Sequence, residues 1–134
     1  IMATILKFED LQIWKTSREL SLKVFKLTSI PPFINDFRFR DQARSSAGSI
    51  MDNIAEGFER SGRLEFVQFL SHAKGSCGEI RSQIYRAIDQ NYIDKSEGSE
   101  LIDKYETLAK EIFGFIKYLN NSLIKGQKFK DRSV

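Results

Sequence analysis

The chain lacks most of what would mark it as secreted, catalytic or membrane-bound. Its single cysteine, Cys77, excludes an internal disulfide and suits a reducing compartment. Its only histidine is His72, so the paired Glu-x-x-His motifs of di-metal bundles are missing. No run approaches the roughly 18 apolar residues of a membrane span. "IMATILKFEDL" at the start holds no apolar stretch long enough for a signal peptide. These absences lead to the expectation of a soluble, cytoplasmic protein with no membrane partner. The two prolines, Pro31 and Pro32, are adjacent, which permits long helices almost everywhere else. Alternating strand patterns, internal repeats and low-complexity linkers are also missing.

What is present fits one all-α domain. The 134 residues are 41% hydrophobic and 29% charged, enough for a single buried core. Expected boundaries are 8–121 for the domain, with terminal extensions at 1–7 and 122–134. A first helix is predicted from near Asp10, stapled by Phe8, with Ile13, Leu20, Val24 and Leu27 as its stripe, widened by Leu11, Trp14 and Phe25. "SIPPFIND" breaks the pattern, and Asn35 or Asp36 caps a second helix carrying Ala43, Ala47, Ile50 and Ile54. Gly57 is predicted to end or weaken that helix. Ser61 is the predicted cap of a third, where Phe66, Leu70, Ala73, Cys77, Ile80, Ile84 and Ala87 repeat at heptad spacing. A fourth, after Ser96 or Ser99, carries Leu101, Tyr105, Leu108, Ile112, Phe115 and Leu119. Short connections imply an antiparallel, up-down-up-down four-helix bundle. The basic tail "KGQKFKDRSV" is expected to fray.

The most distinctive stretch is "SAGSIMDNIAEGFER", residues 46–60. With a turn near Glu59, Ala43 to Gly48 are expected to face the stretch from Leu70 to Gly75, where two small-residue surfaces allow close helix packing or, alternatively, leave a ligand cavity. Ser49, Asn53 and Glu56 recur at helical spacing, as do Ser76, Glu79 and Gln83 on the third helix. Partly buried polar groups need partners, so these residues and Gly57 are read as a structural polar layer that specifies packing. An ion pair from Glu79 to Arg40 or Arg44 follows from the same register.

"SIMDNIAEG" at 49–57 and "EFVQFLSHAKGSCGEI" at 65–80, with looser matches in "FEDLQIW" and "NYI", resemble the family of proteins encoded in intervening sequences of 23S ribosomal RNA genes. The chain departs from that pattern at Met51, where the family often has proline, and in serines at 45 and 46. The resemblance implies a left-handed bundle that assembles as a homopentamer. It also implies kinship with accessory proteins of diversity-generating retroelements, which bind nucleic acid and a reverse transcriptase.

Catalysis is not expected. Glu65, His72 and Glu79 recur every heptad, yet a catalytic metal normally needs three convergent ligands. Cys77 reads as a small buried hydrophobe, and Gly-rich phosphate loops are missing. We therefore expect no enzyme, metal or cofactor. The net charge of +3 and pI near 9.0 leave room for a polyanion. Arg38, Arg40, Arg44, Lys74, Arg81 and Arg86 are expected to form one basic strip that binds RNA or DNA. Eleven phenylalanines are a surplus for this length, and aromatics are enriched at subunit contacts. Phe33, Phe37, Phe39 and Phe58 are therefore the expected oligomer interface. The competing expectation is a protein-binding adaptor, for example a reverse-transcriptase accessory subunit, without its own affinity for nucleic acid.

Overall fold

The computed structural model describes residues 5–60 and 62–125, with side chains through 121. There it consists of four α-helices, two 3-10 turns and connecting segments, with no strand. Helix α1 spans Gln12–Thr28, α2 Phe37–Glu59, α3 Arg63–Asp89 and α4 Lys95–Lys125. A 3-10 turn at Phe8–Asp10 precedes α1, so the helix starts slightly later than the sequence suggests. Phe8 still packs edge-on against Trp14, with ring centroids 5.1 Å apart.

Of the two candidate caps for α2, Asp36 is the one used: its Oδ1 accepts a hydrogen bond from Phe39 N at 3.3 Å. Gly62 occupies the cap position of α3, and the expected cap Ser61 lies outside the described residues, as does the tail from 126. The end of α3 is closed by two backbone bonds, Tyr92 N to Ala87 O at 2.8 Å and Asn91 N to Ile88 O at 3.0 Å. This reversal needs a left-handed residue, supplied by Asn91 at φ 60°, a conformation asparagine tolerates better than most.

Consecutive helices run antiparallel. Gln42 of α2 meets Arg86 of α3, Ser49 meets Ser76, and Gly57 meets Phe66 and Phe69. Ile88 lies against Gly98 and Lys74 against Phe113, which sets α4 antiparallel to α3. The third helix buries all seven residues of its predicted stripe, and Ala43, Ala47, Ile50 and Ile54 are buried on α2. Helices α1 and α4 leave an open groove between them.

Two expectations are corrected. Gly57 does not end α2, which continues to Glu59; it is buried inside the helix. A Cβ there would lie 2.6 Å from Phe69 Cβ and 2.9 Å from Phe66 Cδ1, so glycine is required by the proximity of α3. The register also differs. A turn near Glu59 would set Ser49 level with Phe69, but Ser49 meets Ser76, one heptad further along α3. The close approach is therefore at Gly57. A Cβ added at Gly48, Gly75 or Gly78 would meet nothing within 4 Å, so those glycines are not packed against a neighbour.

Two substitutions should separate these roles. Gly57→Ala should lower unfolding stability by about 1–3 kcal/mol, the cost of overpacking. Gly48→Ala should raise it by up to about 1 kcal/mol, from helix propensity alone. Urea denaturation of both variants beside the parent measures the two signs; equal effects would mean that Gly57 is not a contact glycine.

Candidate functional site

The distinctive motif resolves into two contacts. Asn53 Nδ2 donates to the Ser49 carbonyl at 2.7 Å and to Ser49 Oγ at 2.9 Å. Ser49 Oγ also shares a hydrogen bond with Ser76 Oγ, 3.1 Å away across the helix boundary, in which either hydroxyl can donate. Ser49, Asn53 and Ser76 thus form the polar bridge between α2 and α3. Glu56 and Glu79, expected in the same layer, are exposed. Glu56 instead accepts from Arg60 Nη2 at 2.7 Å, and Arg60 Nη1 reaches Glu65 at 3.1 Å, so one guanidinium pins both sides of the α2–α3 turn. Glu79 makes no ion pair with Arg40 or Arg44, because it occupies an outward heptad position and the register is shifted.

The six basic residues do not form one strip. Lys74 and Arg81 lie one heptad apart on the flank of α3 toward α4, where Lys74 Nζ sits 5.5 Å from the Phe113 ring centroid. Arg44 lies on the seam between α2 and α1. Its Nε donates to Thr28 Oγ1 at 2.8 Å and its Nη2 to Ser29 Oγ at 2.9 Å, while its guanidinium covers Phe25 at 4.3 Å. Arg40 pairs with Asp41 at 2.9 Å and covers Phe37. Arg86 covers Phe39 at 4.0 Å and donates to Gln42. Arg38 is exposed. Similar height on two helices does not imply a shared face, and the flank of the heptad decides which neighbour each side chain meets.

The aromatic expectation is corrected too. Phe33, Phe39 and Phe58 are buried within the single chain, and of the four only Phe37 is exposed, at 64%. Phe33 and Phe39 stack with Tyr92 at centroid distances of 5.0 and 6.0 Å, and the Tyr92 hydroxyl donates to Asp36 Oδ2 at 2.8 Å. That hydrogen bond raises the Tyr92 phenol above its ordinary pKa. At the other end, Phe58 and Phe115 each meet Phe66 edge-on. The surplus rings close the two ends of the bundle.

Sequence reasoning missed the Thr28–Ser29 seat of Arg44 and the Arg60 pin. Hydroxyls in a last helical turn, and an arginine four or five residues from two glutamates, are the signals that mark them. Among the described residues, no three of His, Cys, Asp and Glu stand together as a metal site. No described helix is long and apolar enough to cross a membrane.

Cys77 is fully buried on α3, and burial raises its thiol pKa from 9.0 to about 12 even though Arg81 and Lys74 draw it back. Tyr105, also fully buried, is pushed upward mainly by burial. Both groups hold their protons more tightly folded than unfolded, so they contribute stability at neutral pH. It is lost as pH rises from about 9 through about 12. Denaturation midpoints should therefore fall across that window, less steeply in Cys77→Ala. The native thiol should resist thiol reagents at pH 8 and react on unfolding; rapid native labelling would contradict its burial.

Comparison with known proteins places this architecture. No curated protein sequence matches the chain. A crystal structure of a protein of unknown function from the S23 ribosomal protein family of Bacteroides thetaiotaomicron superposes with a TM-score of 0.72 at 20% identity, covering 78% of this chain and 98% of that one. At that identity the likeness is one of fold. The family model described as 23S rRNA-intervening sequence protein matches residues 9–114 and so takes in all of α1, α2 and α3 and most of α4. The chain belongs to the 23S rRNA-intervening sequence protein family.

Proposed function

We propose that the protein is a non-enzymatic, oligomeric scaffold of the cytoplasm that associates with RNA or DNA through phosphate contacts. The observation that carries this reading is the state of its cations. Of the six basic residues singled out in the sequence, only Arg40 has a carboxylate partner among the described residues. Arg44 is held by two neutral hydroxyls and a ring, and Lys74 by a ring, so both charges remain uncompensated. Groups fixed in this way are ready for a polyanion without first breaking an ion pair.

Self-assembly multiplies the effect. Each copy presents basic groups on two seams, one toward α1 and one toward α4, and a homopentamer of the kind the family resemblance implies repeats both around one particle. Phe37, Leu64 and Tyr85 are exposed apolar side chains suited to subunit contacts. No reactive centre is part of this reading, because its cations need only bind.

Binding should be tolerant of sequence and weaken steeply with salt. Arg44→Ala with Lys74→Ala should reduce affinity and lower the slope of log affinity against log salt by about 0.9 for each phosphate no longer neutralised. Titration of structured RNA and duplex DNA at low salt, with mass measured by sedimentation equilibrium, provides the test. If neither binds more tightly than about 10 μM, a range within ordinary non-specific affinity, the scaffold reading fails. A protein-binding adaptor, such as an accessory subunit of a reverse transcriptase, then takes its place.

A further inference from the structure

One flank of α1 carries an unusual series of side chains, in which Phe25 is exposed and Trp14 is half-buried against the core. Trp14 and Phe25 lie about three turns apart, which returns them to the same side of the helix with about 16 Å between them. Each is covered by a guanidinium: Arg18 stands 5.5 Å from the Trp14 ring centroid and Arg44 4.3 Å from that of Phe25. Between them, with Leu22, runs a shallow groove of about 780 Å³. Phe25 is 51% exposed despite the guanidinium over it.

The Arg44 end is built rather than incidental. Thr28 Oγ1 donates to Val24 O at 2.8 Å, and Ser29 Oγ donates to Phe25 O at 2.7 Å. Both hydroxyl protons are thereby committed to α1 carbonyls, which turns the oxygen lone pairs toward Arg44 and holds its charge beside the Phe25 ring. Lys15 adds a third cation to the groove, against the carboxylates of Glu9 and Glu19.

We propose that this groove docks an unpaired stretch of nucleic acid, with a base packed on the part of the Phe25 ring that Arg44 leaves exposed and phosphates on Arg44 and Arg18. The proposal rests on the nucleic-acid reading above and names the form of polyanion that reading takes. Aromatic platforms flanked by cations suit single strands, whose bases expose their faces; a duplex presents phosphates and base edges and has no use for the rings. An apolar partner helix fits less well. Its stripe would cover two guanidiniums that have no carboxylate partner among the described residues, at a desolvation cost no contact here offsets.

The test uses fluorescence anisotropy with unstructured RNA and DNA oligonucleotides of about 12 nucleotides, within the usual span of single-strand sites, and with the corresponding duplex. The single strands should bind about tenfold tighter than the duplex. Phe25→Leu should cost the single strands about fivefold or more, the effect of removing one stacked base, with duplex affinity and salt slope unchanged. Phe25→Tyr should retain binding. Arg44→Gln should weaken both forms and flatten the salt slope by about one. Equal affinity for the two forms, or no effect of Phe25→Leu, overturns this proposal while salt-dependent duplex binding leaves the scaffold reading standing. No binding to either form overturns both. Light scattering runs in parallel, and dissociation of the assembly by Phe25→Leu would assign the ring to a subunit contact and overturn the proposal.

Discussion

The near-contact of α2 and α3 at Gly57 is the constraint on which the other features depend. Phe69 and Phe66 stand where a Cβ on residue 57 would be, so no other residue fits without a shift of the helix. This point fixes how close the two backbones come, and the Ser49–Ser76 bridge two turns away fixes their sliding position. Arg60 then ties the connecting turn to both helices. Steric fit and a satisfied polar contact play different parts here. Packing of similar side chains is tolerant of a slip, whereas an unmatched hydroxyl half-buried against an apolar neighbour is not.

That register decides what the remaining side chains can do. It puts Phe39 at the level of Tyr92, so the aromatic residues at the start of α2 are absorbed into the monomer. It leaves the α2 flank opposite α1 for Arg44 and the α3 flank opposite α4 for Lys74. Among the described residues, two groups of phenylalanines consequently stand apart. One closes the ends of the bundle, while Phe25, Phe37 and Phe113 stay on the surface beneath cations. A ring under a guanidinium keeps an apolar group in water without a broad apolar patch, and it holds a positive charge at a fixed place.

Much of this is legible in the sequence, and the misreadings have a common origin. The stripe from Phe66 to Ala87 shows its heptads plainly, and every member is buried. Asp36 as cap and Ser49 with Asn53 as partners follow from local spacing. Gly57 misleads because a glycine at the end of a periodic run is also the usual mark of helix termination, and no local pattern shows that another helix passes over it. The register is misplaced by one heptad, an error that periodicity cannot detect: a slip of seven residues brings the same stripe back to the same face. From that slip come the single basic strip and the Glu79 ion pair. Phe33 packs against Tyr92, which follows the left-handed turn at Asn91, as well as against Phe39.

Disulfide trapping reads this register directly. In a Cys77→Ala background, Ser49→Cys combined with Ser76→Cys should close an intramolecular crosslink under mild oxidation, because a disulfide requires Cα atoms roughly 4.4–6.8 Å apart. The serine oxygens at these positions already lie 3.1 Å from each other. Ser49→Cys combined with Phe69→Cys should remain reduced within the same chain. Efficient crosslinking of the second pair and not the first would contradict the account and restore the alignment one heptad away.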